Sequence, residues 1–255
     1  MKLIISLIAI IYVCTGCVAP PVSAPSPVAD PMALLRARQE HVHALATLAQ
    51  VRMQRGGDSW STTQALLVER PDHLRVDVVN FFGQVQMQLS IYAGQLAAYV
   101  PADKCCYRGY ASSSNIEQFT GVDIPVATLV ALILGQLPDG VLDAAVVSPC
   151  PAGVELYLGS NVAYVVLFEN NRVKSVDYIV NNNVIYHVLY GHYNPESSFA
   201  EQVVFAMPLR DLSMSVIMED VEINPAFDRT RFVLRPPAES EEVSLDGDTN
   251  GQAAR

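Results

Sequence analysis

The sequence predicts an α+β fold built on one strongly curved antiparallel sheet, and three observations predict it. A single helical pattern comes first, at residues 32–50. A long succession of short segments follows in which apolar and polar residues alternate with period two, punctuated by Gly, Asn and Pro, enough for about ten or eleven strands. Midway, a nearly all-apolar helical stretch at 126–134 interrupts the strands and has to be covered. A sheet of that many strands curls, and strands with one wet face put their apolar side chains into a shared interior.

In chain order, residues 32–50 contain no Pro or Gly and space Met32, Leu35, Val42, Leu45 and Ala49 as one amphipathic helix would. Gly56-Gly57-Asp58 then reads as a hairpin turn. Leu74, Val76 and Val78 alternate with Arg75 and Asp77; more sharply, Val85, Met87, Leu89 and Ile91 alternate with Gln84, Gln86, Gln88 and Ser90. Gly83 and Gly94 mark turns, residues 95–100 continue as a strand, and Pro101 stops it. The first half is therefore an antiparallel meander.

Ser112, Ser113, Ser114 and Asn115 offer capping oxygens for a short helix, and Pro125 suits the first turn of the apolar one. Strands resume at about 154–158, 162–168, 172–180 and 184–190, with Gly159-Ser160, Glu169-Asn170-Asn171 and Asn181-Asn182-Asn183 as tight connections. Segments 203–207, 214–223 and 231–234 complete the set.

The termini say where the protein goes. Met1-Lys2 precedes an apolar run through Val13 that is too short to span a bilayer, which needs about 20 residues. Val13-Cys14-Thr15-Gly16-Cys17 resembles the bacterial lipobox, so residues 1–16 are expected to be a lipoprotein signal peptide and Cys17 the acylated first residue of the mature chain. Residues 17–31, with Pro20, Pro21, Pro25, Pro27 and Pro31, read as a semi-stiff tether. The folded domain is expected at 32–237, and the acidic residues 238–255 as a disordered tail.

A formal net charge of −10, with 16 Lys and Arg against 26 Asp and Glu, argues against a nucleic-acid partner. No G-x-S-x-G, H-E-x-x-H or Gly-rich phosphate loop is present, the histidines lack ligand spacing, and neither an enzyme activity nor a metal or cofactor is expected. With Cys14 removed and Cys17 acylated, Cys105, Cys106 and Cys150 remain. An oxidising compartment predicts one disulfide, between Cys150 and one of the adjacent pair.

The arrangement of these pieces resembles the periplasmic lipoprotein carrier and receptor family of the LolA/LolB type. The resemblance rests on the N-terminal helix, the phrase Arg70-Pro71-Asp72-His73-Leu74-Arg75, Phe82-Gly83 leading into an alternating strand, and Gly94-Gln95-Leu96 before the strand with Tyr99. It also rests on Leu134-Gly135-Gln136-Leu137-Pro138 and on the closing Val221-Glu222-Ile223-Asn224-Pro225. The family implies an unclosed β-barrel with short lid helices, an apolar cavity for the acyl chains of lipids or lipoproteins, and a role in outer-membrane lipoprotein localisation. Val18 after the acylated cysteine resembles the sorting pattern for the outer membrane, with the domain facing the periplasm.

An apolar cavity can hold a lipid without a charged site, because each buried methylene contributes about 0.8 kcal/mol. The expected lining is Val85, Met87, Leu89, Leu129, Ile133, Met207, Met214, Val216 and Met218, the methionines being able to re-pack around different chains. Phe81 and Phe82 are the candidates for touching a membrane. The alternative is a structural or assembly lipoprotein that binds a protein partner through the curved sheet.

Overall fold

The computed structural model describes residues 30–246. The leader, Cys17 and all but the last two residues of the tether lie outside the described residues, as does the end of the tail.

The chain enters through α1 (Pro31–His41), where the Asp30 carboxylate accepts a hydrogen bond from the Ala33 N–H at 2.9 Å and Pro31 starts the first turn. The helix ends well short of residue 50. From Ala44 to Arg55 the chain is β1, with Thr47, Ala49, Val51 and Met53 buried and Leu48, Gln50, Arg52 and Gln54 exposed. Residues four apart satisfy a helical face and a pleat equally, so Leu45 and Ala49 carry no information about which forms; the period-two run after Ala49 extends back to Ala44.

Gly56 and Gly57, with φ of 56° and 93°, make the two-residue turn into β2 (Asp58–Glu69). The first meander continues as β3 (His73–Val79), β4 (Val85–Tyr92), β5 (Gln95–Val100) and β6 (Cys105–Tyr110). Three helices follow: α2 (Ser113–Thr120), capped by the Ser112 hydroxyl on the Asn115 N–H, α3 (Val126–Ile133) and α4 (Val141–Ala144). A second meander runs through β7 (Val146–Cys150), β8 (Gly153–Tyr157), β9 (Val162–Glu169), β10 (Arg172–Val180), β11 (Asn183–Tyr193), β12 (Ala200–Met207) and β13 (Leu212–Ile223).

The two meanders become one sheet because β1 pairs with β13, in the order β14-β6-β5-β4-β3-β2-β1-β13-β12-β11-β10-β9-β8-β7. Its end strands do not pair with each other, so the curved sheet is not closed into a barrel. The described strands number 14, more than the ten or eleven expected: β1 lies partly where a helix was expected, β6, β7 and β14 (Glu241–Ser244) lack the alternation that marks the others, and one expected strand, at 231–234, does not form. One apolar interior, including Leu45, Val68, Leu74, Leu89, Leu134, Leu156 and Val188, runs across both meanders and under the helices.

Three further expectations are corrected. The strand expected at 231–234 is a 3-10 turn, Arg229–Phe232, held by the Asp228 carboxylate on the Thr230 N–H; it sets Phe232 against Tyr92 and His73 on the outer face of the sheet. The tail is ordered as far as it is described: β14 lies parallel to β6, and the Asp246 carboxylate accepts from the Tyr110 N–H and Asn115 Nδ2. A strand edge offers a row of unpaired backbone groups, and a polar segment can complete that ladder without burying anything apolar. Finally, Cys105, Cys106 and Cys150 are all free in the structure, with β6 and β7 near opposite ends of the strand order.

Candidate ligand cavity

The pairing of β1 with β13 sets Val51 opposite Val216 and Met53 opposite Met214 on the concave face. Leu66 on β2, Val76 and Val78 on β3, and Met87 and Leu89 on β4 extend that face across the first meander. Leu129 and Ile133 on α3, with the last turn of α2, close it from above. The space between sheet and helices is a cavity of about 490 Å³ that the protein's own side chains leave unfilled. Sites for small molecules commonly measure about 300–1,000 Å³.

The cavity changes character along its length. Its deep end is aliphatic, with Leu74 and Leu89 almost fully buried. Toward solvent, Thr62, Gln64 and the half-exposed Trp60 line β2, while Gln118 and Phe119 line α2. Arg55 and Glu117, the two ionisable residues of the lining, pair with each other at 3.2 Å and so cancel at the rim. Arg210 reinforces the arrangement, reaching Glu117 at 2.6 Å and also pairing with Asp123. These ions are partly exposed, so each pair is worth about 0–1 kcal/mol; they pin α2 over the opening without making it immovable. Gly121 ends α2 with φ of 73°, and a Cβ there would meet the Met53 sulfur at 3.0 Å. With no net charge and few hydrogen-bonding groups inside, the cavity suits an apolar body.

Of the residues expected to line it, the structure brings Met87, Leu89, Leu129, Ile133, Met214 and Val216 together. Met207 and Met218 are buried in the core outside the cavity: Met218 sits opposite Ala49, further along the β1–β13 pair, and Met207 at the end of β12. Val85 is exposed at the start of β4. Val51, Met53, Leu66, Val76, Val78, Trp60 and Phe119 line the cavity without having been singled out. A signal for part of this set exists, since Trp60, Thr62, Gln64, Leu66 and Val68 alternate along one face of β2, but its polar members disguise it.

Phe81 and Phe82 form the tip of the β3–β4 hairpin, 96% and 83% exposed, with rings edge to face at 5.6 Å. The Asn80 side chain builds this tip by accepting the Phe82 and Gln84 N–H groups, and Gly83 takes φ of 77°. Two phenyl rings presented to water on an ordered turn are an apolar patch that folding does not require.

No protein-family model matches the chain, and no curated protein does. Solved structures do. A DUF1329 family protein from Desulfovibrio piger superposes with a TM-score of 0.52 at 10% identity, over 81% of this chain and 97% of its own. A LolA superfamily protein from Nitrosomonas europaea gives a TM-score of 0.52 at 10% identity, over 78% and 96%. The fold is therefore LolA-like, an α+β architecture with an open curved sheet, as the motif resemblance implied.

Proposed function

We propose that this protein is an envelope lipoprotein that takes an acyl chain of a lipid or lipoprotein into the cavity beneath α2 and α3. The observation that carries the proposal is the cavity itself: about 490 Å³ of space against Val51, Leu66, Val76, Leu89 and Val216, uncharged inside and reached past Trp60. At about 0.8 kcal/mol per buried methylene, an acyl chain needs no specific polar partner there. The LolA-like fold supports the same reading. Residues 1–16 act as the export leader, the lipid on Cys17 and the tether to residue 31 hold the domain at the outer membrane facing the periplasm, and Phe81-Phe82 dips into the bilayer during exchange.

The test is uptake of a fluorescent fatty acid by the purified protein, with native mass spectrometry of the protein after mild extraction. Saturable uptake near one per chain is expected, together with its loss in Val76→Trp, which fills the cavity while unfolding remains cooperative. A ligand-free spectrum and no uptake by the unmodified chain would overturn the proposal. The alternative, a protein partner bound along the sheet, has the unpaired edge of β7 in its favour, where Val146 and Val147 are 72% and 43% exposed. It is the reading left standing if nothing enters the cavity.

A further inference from the structure

A second cavity, of about 410 Å³, lies between α1 and the β9–β10 hairpin and shares no residue with the first. Leu34, Phe168 and Val173 give it an apolar wall, and two arginines, Arg38 from α1 and Arg172 from β10, also line it. No acidic side chain does. Among the described residues neither arginine pairs with a carboxylate, in a chain whose acids outnumber its Lys and Arg by 26 to 16. Glu169 stands opposite Arg172 in the β9–β10 register, but its carboxylate is engaged by Lys174 at 3.0 Å.

The Arg38 guanidinium is held in place. Its Nε donates to the Gly135 carbonyl at 3.0 Å, its Nη1 to the Ser198 carbonyl at 3.1 Å, and it lies 5.2 Å from the centre of the Phe199 ring. Its Nη2 is buried with no partner. Burial accordingly pushes the Arg38 pKa down from its usual value. Arg172 stacks over Tyr193 at 5.1 Å and makes no side-chain hydrogen bond among the described residues, while the Tyr193 hydroxyl is spent on the Val173 carbonyl. Neutral carbonyls and a ring face solvate the Arg38 cation only partly, so its charge, held here without a carboxylate partner, carries a desolvation cost that a bound anion would offset, with the half-exposed Arg172 as a second positive group beside it. The apolar wall beside it favours a ligand that is not charge alone.

We infer that this cavity binds an amphipathic anion, a carboxylate or phosphate carried on a short apolar body, with the charge between Arg38 and Arg172 and the body against Leu34, Phe168 and Val173. Arg38 is a fixed donor with its position set by Gly135 and Ser198. Arg172 is free to leave the Tyr193 ring and close on the anion. The group could belong to a lipid or to a soluble metabolite, and the chemistry recognised is the same.

The test is an amide NMR titration of the full chain with hexanoate, hexyl phosphate, inorganic phosphate and hexylamine. Hexanoate and hexyl phosphate are expected to shift Asn170, Asn171 and Ser198 saturably, inorganic phosphate to bind at least tenfold more weakly, and hexylamine to leave these amides unmoved. Arg172→Gln is expected to weaken hexanoate at least tenfold with melting unchanged, and Arg38→Lys to weaken it less than Arg172→Gln does. Equal response to hexylamine, or no shift at all, overturns the site. Inorganic phosphate binding as tightly as hexyl phosphate overturns the amphipathic ligand and points to a free anion. Shifts confined to Phe119, Gly121 and Val122 place the ligand in the larger cavity and overturn this inference while supporting the acyl site; failure of the acyl site leaves the Asn170 and Ser198 response untouched. A last arm separates sources: vesicles of anionic phospholipid that compete with hexyl phosphate assign the site to lipid headgroups, and vesicles without effect assign it to soluble anions.

Discussion

Gln136 sits 3% exposed between α3 and α4, and its Nε2 donates to the carbonyls of Arg38 at 3.0 Å and Val42 at 2.5 Å. The Arg38 carbonyl also accepts the Val42 N–H at 3.2 Å, so the Val42 carbonyl, just past the end of α1, is the one that depends on Gln136. Gln136→Leu keeps the volume and leaves the Val42 carbonyl dry, while also removing the buried, unpartnered Gln136 Oε1, so a net loss of about 1 kcal/mol in chemical denaturation is expected, and a gain in stability would contradict the role. A second residue-scale consequence lies in the tyrosines of the second meander. Burial pushes the pKa values of Tyr164, Tyr186 and Tyr190 upward, with neighbouring tyrosines adding to the rise at Tyr186. Below about pH 10 they are neutral in both folded and unfolded chains, so they confer no pH dependence there. Above it the unfolded chain releases protons that the folded chain keeps, and stability falls as pH rises, by up to about 1.4 kcal/mol per buried tyrosine per pH unit. An ultraviolet titration should show these three ionising only as the fold is lost; all ten tyrosines beyond residue 16 titrating together near pH 10 in an intact fold would refute this.

At the scale of elements, β14 is the part whose contribution is easiest to isolate. It covers the edge of β6, and Asp246 just beyond it holds the N–H of Tyr110 at the end of β6 and the side chain of Asn115 in the first turn of α2. Truncation after Pro237 removes the ladder, the packing of Leu245 and that anchor. A loss of about 1–2 kcal/mol corresponds to a melting temperature lower by roughly 2–8 °C in a domain of this size. The bared edge should also make the protein associate with concentration, as light scattering would detect. Unchanged melting and no association would mean that β14 is ornamental. The polar composition that suggested disorder was a true statement about burial, but a strand that completes an edge gains its stability from backbone hydrogen bonds, which composition does not record. Similar reasoning covers the start of β1, where Leu45 and Ala49 fit helix and strand alike, and the Met53–Gly121 contact, which no spacing rule connects.

For the whole molecule, the open sheet and its lid explain why a chain of this size leaves a cavity. Side chains on a concave surface converge, yet the α3 ridge of Leu129 and Ile133 keeps the lid standing off β2 and β3. The proposed tether and anchor belong to this scale as well. Cys17→Ser should move the protein from the membrane fraction to the soluble periplasmic fraction of cells, with the uptake of fatty acid unchanged; continued membrane association, with no diacylglycerol on the native cysteine by intact mass, would reject lipidation there.

Period-two alternation and Gly and Asn turns were enough to read the strands from β3 to β5 and from β8 to β13, because a pleat puts every second side chain on one face and a sharp turn requires positive φ; the serine cap of α2 was equally local. The sequence by itself thus determined the class of fold and pointed to part of the cavity lining, namely Met87, Leu89, Leu129, Ile133, Met214 and Val216. Only the tertiary structure decided that β1 meets β13, that β14 joins β6, that the cysteines stay apart, and that Arg38 and Arg172 share a pocket. The two strand pairings and the shared pocket each join residues more than a hundred positions apart in the chain, and the cysteines answer to the same long-range arrangement; local periodicity carries no information about which distant surface a face will meet.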